Sequence, residues 1–224
     1  MMLNSEKKKY VFDQLDQLLK PQGYRATKTG GAPYYMLDKD NAKYKFYLNF
    51  SDMGDLYFSK YYIELKEVTK ILKQVFNSDN PLVDFRQVNI HPTINDNSKN
   101  PFIYKIINNH RELKMFTDWV IDYLENDGKQ FIETYSYLPN VLKRMDELTI
   151  QGKVWQDRGV GILSGALDAQ LRGLIIAKLC NDNGLNDKIL MCDEIFYRDQ
   201  YKDWLPYYIK LKEQLPSIQP LYNV

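Results

Sequence analysis

Residues 159–180, GVGILSGALDAQLRGLIIAKLC, come nearest to a chemical motif in this chain. Glycines ahead of a helix are what a phosphate needs, because backbone N–H groups can then approach an anion closely. The spacing here is Gly159-x-Gly161-x-x-x-Gly165, which misses the dinucleotide fingerprint G-x-G-x-x-G. The preceding KVWQDR is a poor strand, and no P-loop lysine follows. Ser164 stands before Gly165, but Gly161 is one residue too far away for the G-x-S-x-G nucleophile elbow. Ser164, Asp168 and Arg172 recur every four residues, and Asp168 and Arg172 can pair at i,i+4. They form a candidate polar cleft for a small molecule, or an ion pair that closes the edge of a core.

Metal and thiol chemistry find less support. The histidines are His91 and His110, without His, Cys or carboxylate partners at ligand spacing. Cys180 and Cys192 have eleven residues between them and form no C-x-x-C. We expect no metal and no cofactor, no disulfide scaffold, and a reducing cytoplasmic setting. A candidate nucleic-acid surface comprises Lys43, Lys45 and Tyr47 on one strand face beside Tyr57 and Tyr61, since bases stack on aromatic rings between lysines. Against it stand a balance of 30 basic to 29 acidic residues and the absence of an RNP-type aromatic pattern. Nucleic acid is therefore not the expected partner.

The elements that must position these residues follow from periodicity. Residues 4–20 read as a helix with Ser5 as N-cap, stopped by Pro21 and Gly23. Residues 24–28, 34–37 and 43–50 form an antiparallel meander. Its last strand alternates Tyr44, Phe46, Leu48 and Phe50 inward against Lys43, Lys45, Tyr47 and Asn49 outward. A fourth strand starts at Leu56, and a helical period runs from Ile63 to Phe76. Strands are expected at 82–90 and 102–107, with a polar loop at 91–101 between them. After Asn108 the chain reads as helices. The first is closed by Asp127-Gly128, and another is opened by Pro139 and ended by Gly152. This is an α+β plan: a sheet region, 1–108, and a helical region, 109–224, separate or in one continuous domain.

The stretch that opened the question also reads as packing. Gly161, Gly165, Ala169, Gly173 and Ala177 recur every four residues, a helix ridge with almost no side chain. The remaining positions are apolar nearly all round, which predicts a buried central helix. No apolar stretch reaches the ~18 residues of a membrane span. The opening MMLNSEKKKYVFDQL lacks the apolar core of a secretory signal.

Residues 18–50, with Gly23, Tyr24 and Arg25 after the first helix, and the later AKLCNDNG, resemble small bacterial α+β proteins. Some of those serve as immunity or accessory proteins of toxin systems. The Asn, Lys, Ile and Tyr bias points to bacteria as well. The resemblance carries no catalytic residue and implies a protein partner. With no catalytic signature and 18 tyrosines, a residue suited to interfaces, the sequence leans away from an enzyme. It points to a cytoplasmic, non-catalytic, immunity-like interaction protein. The alternatives are a small-molecule binder or enzyme with a cleft near Asp168 and Arg172, and an RNA-binding module.

Overall fold

The computed structural model describes residues 2–29, 32–51, 53–76, 93–103 and 105–224. The expected strand at 82–90 and His91 lie outside them. The fold is α+β, with six strands in an antiparallel sheet. Two compact units form, residues 1–63 with 98–134, and residues 64–97 with 135–224. The sequence draws its boundary at Asn108, in chain order. The chain instead leaves the first unit near Ile63 and returns to it at Ser98, so each unit gathers two separated segments.

In the first unit, helix α1 (Asn4–Leu19) buries Lys7, Val11, Phe12, Leu15 and Leu19 on one stripe. Ser5 is not its N-cap. The helix starts at Asn4 with Leu3 in the cap position, two residues before Ser5, and the Glu6 carboxylate reaches back to accept the Leu3 N–H at 3.0 Å. Gly23, at φ 90, turns the chain into β1 (Arg25–Thr27). Strands β2 (Tyr34–Asp38) and β3 (Ala42–Phe50) complete the meander, with Tyr35 opposite Phe46 and Asp38 opposite Lys43. The alternation along β3 holds: Tyr44, Phe46, Leu48 and Phe50 are buried. Phe12 packs its ring 5.7 Å from Tyr35 and 6.0 Å from Phe50, joining α1 to the sheet.

Strand β4 (Leu56–Phe58) pairs with β3, and β5 (Tyr62–Leu65) follows it, so Ile63 is a strand residue and not part of the helix. Between the two strands Lys60 adopts φ 60, a conformation costly for a residue with a side chain. The Ser59 N–H still bonds the Tyr47 carbonyl at 3.0 Å, but the Tyr47 N–H goes to Ser59 Oγ at 2.7 Å, and that hydroxyl donates to the Lys60 carbonyl. Lys60 Nζ donates to Ser98 Oγ and to the Lys99 carbonyl. The unit is completed by α3 (His110–Glu125), capped by Asn109, and α4 (Asp127–Tyr135). Asp127 and Gly128 open α4 and do not close α3. Residues 101–103 form a turn where a strand is expected, and Ile106 makes a single bridge to Asp55.

The second unit holds α2 (Lys66–Val75), β6 (Ile94–Asn95), α5 (Leu138–Ile150), α6 (Leu167–Leu179), α7 (Leu185–Phe196) and α8 (Leu205–Gln214). Helix α6 is central, as its all-round apolar pattern predicts. Ten of its thirteen residues are buried, and it packs on α2, α5 and α7. The small-residue ridge is shorter than expected. Ala169, Gly173 and Ala177 lie on α6, whereas Gly161 and Gly165 precede it. Residues 162–164 run extended instead. Ile94 bridges Leu163, the Asn95 N–H bonds the Ile162 carbonyl, and the Ser164 N–H bonds that of Thr93. Trp155 O accepts both the Ile162 and Leu163 N–H groups, at 2.8 and 3.0 Å, which holds this run out of the helix. Gly165, at φ 96, then turns the chain into α6.

Among the described residues no helix is long and apolar enough to cross a membrane. Nor is any group of three or more His, Cys, Asp or Glu among them placed to hold a metal ion.

Candidate functional site

Ser164, Asp168 and Arg172 do come together. Arg172 is 2% exposed, and its Nη2 lies 2.8 Å from Asp168 Oδ2. Its Nη1 donates to the Ser164 carbonyl at 2.8 Å, while Ser164 Oγ donates to Asn95 Oδ1 at 2.7 Å. Asp168 Oδ1 also accepts the Ala166 N–H. Burial lowers the Arg172 pKa, and the Asp168 charge opposes that shift. These bonds fix residues 164–166 to the start of α6. The edge-closing ion pair is thus what the geometry supplies.

The aromatic and basic sheet face is formed in part. Lys43, Lys45 and Tyr47 share the outer face of β3, and Tyr57 of β4 stands opposite Asn49 on that face. Lys45 Nζ sits 3.8 Å from the Tyr34 ring centroid and 4.6 Å from that of Tyr47. Tyr47 meets Tyr34 and Tyr62 edge to face, at 5.9 and 5.7 Å. Tyr61 does not belong with them, since it is 2% exposed on the inner side. Unbroken alternation from Leu56 would place it outside with Tyr57. The irregular step at Lys60 resets the register, so Tyr61, Ile63 and Leu65 point inward.

Tyr61 instead lies at the floor of a cleft of about 880 Å³ within the first unit. That volume suits a drug-sized molecule or a few side chains. Tyr24, just after α1, and Tyr61 join their hydroxyls at 2.8 Å, and Tyr44 of β3 lies beside them. Leu37, Leu124 and Ile132 add apolar wall. The rim carries Lys39, Asp40 and Asn41 from the β2–β3 turn, with Glu125, Lys129 and Glu133 from α3 and α4. Burial pushes Tyr24 up to about 12, with a smaller opposing effect from the Tyr61 hydroxyl. Burial also holds Tyr61 well above its ordinary value, reinforced by Tyr24. Both phenols are therefore protonated at neutral pH. They can exchange hydrogen bonds with a ligand but cannot act as bases.

Gly128 allows α4 to close on this floor. A Cβ there would stand 2.8 Å from Tyr123 Cε1 and 2.9 Å from Tyr61 Cε2. The sequence shows these residues separately, with no motif to join them: the cleft draws on segments near 22–24, 37–44, 61 and 124–133. Comparison with protein-family models, curated proteins and solved structures finds no match.

Proposed function

We propose that this chain is a non-catalytic, cytoplasmic interaction protein that receives part of a protein partner in the cleft of its first unit. The observation that carries the reading is the cleft itself. Its floor is built from phenols that stay protonated, and its rim offers charges of both signs. Tyrosine supplies a large, stiff contact area with a polar tip, which makes it frequent at protein interfaces. A mixed-charge rim gives orientation and partner choice more than raw affinity. An immunity protein, which works by occupying a toxin, is the form of this reading that the sequence resemblance favours. The cytoplasmic setting is supported by Cys180 and Cys192, both buried and unpaired.

The test is site-specific crosslinking in cells that make the protein. A photoreactive phenylalanine analogue at Ile132, in the cleft, should yield one discrete heavier species. The same analogue at Ile150, 87% exposed in the second unit, should not. No adduct at position 132, or the same adducts at both positions, overturns the reading.

A further inference from the structure

The rim charges of the cleft differ in how they are paired. Lys129 Nζ lies 4.0 Å from Glu133 Oε1, a loose, solvent-exposed pair across one helical turn. The side chains of Asp40, in the β2–β3 turn, and Glu125, the last residue of α3, have no hydrogen bond or ion pair among the described residues. Two carboxylates without an ion-pair partner thus border a floor of phenol rings, on a rim that also carries Lys39. Ring faces attract cations, and apolar walls strengthen that attraction by excluding water. A guanidinium satisfies both features, because it stacks flat on an aromatic ring and donates to carboxylates from its edge. Gln22 and Asn41 add amide groups able to bond a peptide backbone.

Resting on the reading that the cleft holds a protein partner, we propose that its occupant is a basic peptide segment, with an arginine side chain set over the tyrosine floor between Asp40 and Glu125. The volume accommodates that side chain together with its neighbours. Charge complementarity sets the direction of choice, since the rim carries three carboxylates, Asp40, Glu125 and Glu133, against two ammonium groups, Lys39 and Lys129, and so leans acidic.

The experiment uses fluorescein-labelled, end-blocked hexapeptides of alternating Arg-Leu, Gln-Leu and Glu-Leu, titrated with the full chain and read by polarisation. The Arg-Leu peptide should bind best and weaken with added salt. It should also weaken about fivefold or more in the D40N/E125Q variant, and K129Q should bind it more tightly, the opposite sign. Asp40 and Glu125 are exposed, so these neutral isosteres should leave the circular dichroism and melting temperature unchanged. A Gln-Leu or Glu-Leu peptide that binds as well as Arg-Leu overturns the basic preference and leaves the interaction reading intact. Free arginine that displaces the peptide at equal concentration overturns the peptide assignment. If no peptide binds while the crosslink at Ile132 forms, the inference fails alone. If neither occurs, the inference and the function fall together.

Discussion

Gly173 sets two physical rules against each other, and the sign of one mutation decides between them. Glycine inside a helix costs about 1 kcal/mol relative to alanine, so Gly173→Ala taken as a local change should stabilise α6. The packing says otherwise. A Cβ at Gly173 would overlap Cε3 and Cζ3 of the Trp155 indole and lie 3.1 Å from Met145 Cε. Trp155 is 1% exposed, and its Nε1 donates to Thr149 Oγ1 at 3.0 Å, so the ring cannot swing aside cheaply. Overpacking of a tight core costs about 1–3 kcal/mol, and overlap with a pinned ring belongs at the upper end. Setting ~3 kcal/mol of strain against ~1 kcal/mol of propensity leaves a net loss of about 2 kcal/mol.

For a chain of this length that loss lowers the melting temperature by roughly 4–8 °C. Urea and thermal melts followed by circular dichroism measure it. Trp155→Phe removes the ring atoms in question, so the double mutant W155F/G173A should lose less than the two single mutants added together. The coupling expected for such contacting residues is about 1–2 kcal/mol. If G173A is as stable as the parent, or more so, the indole does not lie against α6 and this account of the small-residue helix is wrong.

Other outcomes follow from the same contacts. Gly128→Ala should destabilise the first unit by about 1–3 kcal/mol and abolish crosslinking from Ile132, because its Cβ would strike Tyr61 and Tyr123 at the cleft floor. Asp16 accepts from Tyr35 at 2.8 Å and Lys28 at 2.6 Å and pairs with Lys20; burial raises its pKa, but these partners outweigh that and bring it down to about 2. Its contribution is therefore complete above the ordinary carboxyl range and lost as pH falls from about 4 toward 2, so D16N should flatten the stability profile in that acid window alone. Lys188 Nζ lies 2.6 Å from Asp146 and 2.7 Å from Asp182; K188M should cost about 2–3 kcal/mol in urea melts, below a fully buried pair because Asp146 reaches solvent. Burial pushes the Cys180 and Cys192 thiols up to about 12, so a thiol-reactive disulfide dye should label neither at pH 8 in the folded chain and both in urea.

The residues that sequence reasoning placed well are those whose neighbours in the chain decide their surroundings. Strict alternation from Lys43 to Phe50 fixes which side of β3 is buried, because one face of a pleated strand must be covered. The all-round apolar pattern of α6 fixes its central place. The errors begin where a distant backbone group overrides local preference. Gly161 and Gly165 continue the four-residue spacing of Ala169, Gly173 and Ala177, yet two N–H groups bonded to Trp155 O hold the chain extended there. A Cβ at Gly161 would press on the backbone of Asp157 and Trp155, so that glycine is required by a loop and not by a helix seam.

A distant contact also hides the cleft from the sequence. Lys60 takes a left-handed conformation that neither its side chain nor its neighbours favour. It is held there by bonds from its ammonium group to Ser98 and Lys99, nearly forty residues away. That single step turns Tyr61 from the outer face, beside Tyr57, to the inner side, where its hydroxyl meets that of Tyr24. The site rests on a register shift of one residue, enforced by tertiary contacts. Local strain at Lys60 and the tyrosine floor are thus one feature. Lys60→Gly, which accepts the same backbone without strain, should keep the cleft even though it loses the ammonium bonds. Lys60→Val, which resists φ 60, should disorder the floor and abolish the crosslink at Ile132. Crosslinking that is retained in the valine variant would separate the two and show that the cleft does not depend on this step.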